Sequence, residues 1–134
     1  MRKLAFVIAL PLAFAACGDR STNREIAEKA VDKFHAQYNE RAFELICLQG
    51  APEFKSDNTS LPYLQKAYDT MGRVVSSDVA TGNVQNSKDE ANITLVYVTT
   101  FEQGKTSETF AYRVKDRDAK LIFYEVAGPD LLKN

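Results

Sequence analysis

The chain has a single histidine, His35, and a general base needs a carboxylate or hydroxyl within hydrogen-bond reach to orient it. No acidic residue stands at a spacing that marks it as the partner, so His35 reads as a boundary residue beside an apolar helical stripe. Asp69 and Asp78 are carboxylates whose surroundings single out neither. Phe34, Tyr38, Tyr68, Tyr97, Phe110 and Tyr112 are the candidates to line a pocket, with core filling as their plainer role. Buried tyrosines want partners for their hydroxyls, which leaves room for a polar-lined cavity. One histidine and no cysteine pair at ligand spacing make no metal site. No catalytic residue and no cofactor is assigned.

The two cysteines differ in context. Cys47 lies in the apolar run Phe43-Glu44-Leu45-Ile46-Cys47-Leu48 and reads as a small buried hydrophobe. Cys17 stands directly behind Met1-Arg2-Lys3 and an apolar run over residues 4–16. That run is too short to span a bilayer core, which takes about 20 residues, and it has the form of a bacterial export signal. Phe14-Ala15-Ala16-Cys17 resembles the lipobox of bacterial lipoproteins. The resemblance implies cleavage between Ala16 and Cys17 and palmitate-type acylation of Cys17, which several chains at about 0.8 kcal/mol per CH₂ would make a firm anchor. The rival is cleavage after Ala13-Phe14-Ala15, leaving Cys17 as a mature thiol. Gly18 in place of Asp after the cysteine leans, by resemblance to the enterobacterial sorting pattern, toward an outer-membrane protein facing the periplasm. The expected organisation is a signal peptide at 1–16, lipidated Cys17 with a linker at 17–23, one domain at 24–126 and a tail at 127–134.

A 134-residue chain with 45% hydrophobic and 26% charged residues is an ordinary globular protein of one domain, large enough for a core without disulfides. A net charge of −1 gives no basis for nucleic-acid binding. A linker of six residues at 18–23 reaches at most about 20 Å when extended.

The elements that must position these side chains follow from periodicity. Thr22-Asn23-Arg24-Glu25 has capping-box spacing, and Ile26, Ala27, Ala30, Val31, Phe34 and Tyr38 form a helical stripe ending near Asn39. Residues 42–49 read as a second helix stopped by Gly50-Ala51-Pro52, and 55–59 as a loop. Ser60 caps a third helix over 61–71, and Gly72 ends it. An irregular strand over 73–85 precedes a hairpin over 91–116, and a last strand spans 120–126 with either Leu121/Phe123 or Ile122/Tyr124/Val126 inward. A two-residue loop at Gly104-Lys105 sets Tyr97 opposite Tyr112 and Leu95 opposite Val114. It gathers Ile93, Leu95, Tyr97, Phe101, Phe110, Tyr112 and Val114 on one face. The other face carries Val96, Val98, Ala111 and Arg113, a candidate interface for an envelope protein or a second copy of the chain.

Three helices and then four antiparallel strands make an α+β arrangement, the helices on one sheet face. The order resembles the nuclear-transport-factor-2-like (cystatin-like) cone. Met71-Gly72-Arg73-Val74, residues 95–101 (LVYVTTF) and Glu108-Thr109-Phe110 are similar to small exported bacterial proteins of unknown function with that fold. The resemblance implies a curved sheet around the first helix, and no active site. Two functions stand as expectations: a membrane-anchored, non-enzymatic interaction or ligand-binding module of the cell envelope, or a cofactor-free, isomerase-like enzyme in the cone's cavity. The second requires a carboxylate beside a tyrosine in an apolar pocket, with Asp69 or Asp78 as the base.

Overall fold

The structure, a computed structural model, describes the backbone of residues 15–128 and the side chains of residues 22–128. Four helical segments, α1 (Ala15–Asn39), α2 (Phe43–Leu48), α3 (Pro52–Lys55) and α4 (Ser60–Met71), precede four strands. β1 (Val74–Asn86), β2 (Ala91–Phe101), β3 (Gly104–Lys115) and β4 (Asp118–Val126) form one antiparallel sheet in the order β1-β2-β3-β4. The fold is therefore α+β with the expected four-stranded sheet. The added helix, α3, is a single turn opened by Pro52, whose missing N–H costs nothing at a helix start.

The stripe Ala27, Val31, Phe34 and Tyr38 faces the sheet and is buried. Phe34 meets Phe110 edge-on with ring centroids 5.0 Å apart and tilts against Tyr124 at 4.6 Å. Such pairs add about 0.5–1.5 kcal/mol each beyond area burial. At the far end of α1, the Asn39 amide donates to the Val74 carbonyl and accepts from the Val74 N–H, so one side chain pairs with the first residue of β1 as a strand would. The start of α1 differs from expectation. The backbone is helical from Ala15, so Thr22 lies inside the helix rather than capping it, and 18–23 is not an extended linker. Six helical residues rise about 9 Å, less than half the extended reach.

The hairpin turn also differs. Phe101 pairs with Gly104, so the loop is Glu102-Gln103 and Gly104 is already in β3. Tyr97 then faces Glu108, not Tyr112, and Leu95 faces Phe110, not Val114. Tertiary contacts select this turn. The Glu102 N–H donates to the Arg73 carbonyl and the Gln103 N–H to the Met71 carbonyl, while Glu102 Oε1 accepts from the Arg73 N–H at 2.9 Å. The register moves by an even number of residues, so every side chain keeps its face. All seven residues expected on the inner face are buried.

The two inward alternatives for β4 are both partly right. A register irregularity between Ala111 and Tyr112 on β3 lets Leu121 and Tyr124, three residues apart, both face the core with Val126, while Phe123 is exposed. The β4 edge is tied to the helical layer by the Ala51 N–H, which donates to the Leu121 carbonyl at 2.9 Å.

Candidate functional site

The period-two alternation that buries Phe110, Tyr112 and Val114 also turns Glu108 inward, and the one that buries Tyr97 and Phe101 turns Thr99 inward. Both are fully closed to solvent. In the β2–β3 ladder Glu108 stands opposite Tyr97 with Thr99 on the diagonal, and in β3–β4 it stands opposite Val126 with Tyr124 on the diagonal. The two diagonal neighbours reach the carboxylate. Thr99 Oγ1 donates to Glu108 Oε1 at 2.6 Å, and the Tyr124 hydroxyl donates to Oε2 at 2.5 Å. From above, His35 Nε2 lies 2.7 Å from Oε1. One carboxylate thus joins α1, β2, β3 and β4.

An ionised carboxylate taken out of water costs several kcal/mol unless hydrogen bonds replace its hydration. Around Glu108, Thr99, Tyr124 and the Nε2–H form of His35 supply three donors, the last two from groups held in place by packed rings. His35 is ringed edge-on by Phe34, Tyr97 and Phe110 at centroid distances of 5.9, 6.2 and 5.7 Å. Burial first, then the Glu108 charge, pushes the Tyr124 phenol well above its ordinary range, so Tyr124 stays a neutral donor. Among the described residues, no buried side-chain nitrogen or oxygen lacks a partner.

This cluster corrects the reading of His35 as a boundary residue: it is 8% exposed and has a carboxylate partner 73 residues away. It lies one helical turn beyond Val31, on the buried stripe itself. Asp69 and Asp78 are both exposed, so neither is the carboxylate of an apolar site. Glu108 was legible from alternation alone, as an acid at an inward position between Thr106 and Phe110. Its partners were not, because they depend on the register and on the path of α1.

The six aromatic residues named as pocket lining are brought together. Phe34, Tyr38, Tyr97, Phe110 and Tyr112 are buried and Tyr68 is half-buried, Tyr38 lying between Phe34, Phe43, Tyr68 and Phe101. Tyr38 donates toward the Gly72 carbonyl at 3.4 Å, and burial raises its pKa. One of several open concavities among the described residues lies beside this cluster. A groove of about 340 Å³ runs between α1, α2 and the start of β4, floored by Phe34, Ile46, Tyr112 and Leu121 and rimmed by Lys33 and Lys120.

On the outer sheet face Val98 is 38% exposed, with Val96 and Ala111 half-buried beside it. Arg113, expected at the rim of an interface, is engaged within the chain. It binds Glu53 of α3 through two nitrogens, at 2.5 and 3.2 Å, and holds that carboxyl down at about 2. Cys47 is half-buried rather than fully packed, and burial raises its thiol pKa. The backbones of Ala16 and Cys17 lie in α1, while their side chains and residues 1–14 fall outside the described residues. Among the described residues no helix is long and apolar enough to cross a membrane, and no group of three or more His, Cys, Asp or Glu is placed to hold a metal. The chain matches no family model, no curated protein and no solved structure.

Proposed function

We propose that the protein is a non-enzymatic, small-ligand-binding module of the bacterial cell envelope, held at the membrane by an acylated Cys17 and facing the periplasm from the outer membrane. The observation that carries the binding reading is the groove of about 340 Å³, an apolar floor with a polar rim, beside a core whose aromatic side chains pack on one another. That combination of walls is the usual form of a small-molecule site. The anchor rests on the sequence Phe14-Ala15-Ala16-Cys17 behind an apolar run. The finer fold reading, a nuclear-transport-factor-2-like cone with α1 across its inner face, belongs to the same proposal. It is supported by the burial of Ala27, Val31, Phe34 and Tyr38 against the sheet. Native mass spectrometry of the membrane-extracted protein tests both halves. The expected spectrum shows acyl mass on Cys17 and a non-covalent small molecule that dissociates on activation. An unmodified thiol removes the anchor, and a ligand-free spectrum removes the binding module.

One observation favours a second reading, a cofactor-free isomerase-like enzyme. Glu108 is a carboxylate in an apolar core beside Tyr124 and His35, the residue types such chemistry needs. Against it, Glu108, Tyr124 and His35 are all buried, so a substrate reaches them only if α1 lifts from the sheet. Amide exchange settles between the two. Protection of the 31–38 segment equal to that of β2 leaves the cluster closed and the enzyme reading without access.

A further inference from the structure

We infer that the groove between α1, α2 and β4 binds a small amphipathic anion: one apolar body, a short acyl chain or single ring, carrying one carboxylate. This deepens the ligand-binding reading and rests on it. Three features fix the ligand class. The first is size. About 340 Å³ is near the lower end of the roughly 300–1,000 Å³ range of small-molecule sites, which excludes a two-chain lipid or a dinucleotide.

The second is the floor. Phe34, Ile46, Tyr112 and Leu121 are packed into the core, each at most 5% exposed, and Leu48 beside them supplies the apolar surface that an apolar body can cover.

The third is the rim. Lys33 and Lys120 present two ammonium groups against one carboxylate, Asp118, which lies 3.3 Å from Lys120. That pair is exposed, so it is weak and exchanges readily for a ligand carboxylate. Gln37 donates to Gln49 at 3.1 Å and closes the helical end of the groove.

The test uses the purified chain titrated with monomeric decanoate and, separately, with decyltrimethylammonium, which has the same tail and the opposite charge, followed by amide chemical shifts. Saturable decanoate shifts centred on residues 30–37, 46–49, 112 and 118–121 are expected, with the ammonium compound binding about ten-fold more weakly. Lys33→Gln with Lys120→Gln lowers decanoate affinity about 3- to 10-fold, and Ala30→Phe abolishes binding. Leu48→Glu, at a 63% exposed rim position, gives the same loss without touching the core. Equal binding of both tails, shifts centred elsewhere, or no saturation would overturn the inference. If the native protein instead carries a cationic or neutral molecule that Leu48→Glu displaces, the anion inference falls and the ligand-binding reading stands.

Discussion

A carboxylate closed off at the centre of three strands is stable only while its donors are in place, so Glu108 can be tested by removing them one at a time. Thr99→Val or Tyr124→Phe each deletes one bond to a charged group, worth about 1.5–3 kcal/mol. Glu108→Ala leaves three donor groups facing a cavity and is expected to cost about 3–5 kcal/mol. Glu108→Gln keeps the shape but turns an amide N–H₂ toward a group that also donates, for a loss of about 1–3 kcal/mol. Urea unfolding gives these differences directly. In a double-mutant cycle Thr99→Val and Tyr124→Phe should be non-additive, because both act through one carboxylate. A Glu108→Gln variant within about 0.5 kcal/mol of the wild type would mean that three donors do not converge on Glu108.

At the scale of elements, the corner that joins α4 to β1 sets the register of the β2–β3 hairpin. Gly72 has φ +81° and ψ −162°, a positive-φ extended conformation that is essentially confined to glycine. A Cβ there would lie 2.7 Å from Glu102 Oε1 and 2.9 Å from Glu102 Cβ. Gly72→Ala therefore adds backbone strain, about 1–3 kcal/mol, to a clash with the turn residue that accepts from the Arg73 N–H. The expected result is a lower unfolding midpoint and shift changes over residues 101–106. Adding Glu102→Gly, which removes both contacting atoms, should restore the part due to the clash and not the part due to φ. Full recovery in the double variant would assign the whole effect to sterics and none to backbone conformation. This corner also explains why the sequence places the turn two residues late. Gly104-Lys105 has good turn chemistry, but Glu102 and Gln103 hydrogen-bond to residues near 72 that local patterning does not bring near.

For the whole molecule, the inner sheet face and the α1 stripe were readable because burial imposes periods of 2 and 3.6 on the residue types themselves. The irregularity that seats Leu121 and Tyr124 together was not, since it arises from pairing with β3. The charge cluster fell between these cases: Glu108 broke an apolar alternation, while His35 hid next to Phe34. Its consequence for the molecule, with that of the buried tyrosines, is sensitivity to base. Burial raises the pKa of Tyr38, Tyr63, Tyr97, Tyr112 and Tyr124 above the ordinary phenol value near 10. The unfolded chain then releases protons from about pH 10 while the folded chain keeps them. Stability is therefore fully present below that pH and falls as pH rises toward the folded-state values. For fully buried Tyr112 and Tyr124 the slope is about 1.4 kcal/mol per pH unit each, so a marginally stable domain unfolds in base. Absorbance at 295 nm and far-ultraviolet circular dichroism should change together in one cooperative step above pH 10. Those five tyrosines titrating independently near pH 10 with the circular dichroism intact would show that their hydroxyls are not held in the packed core.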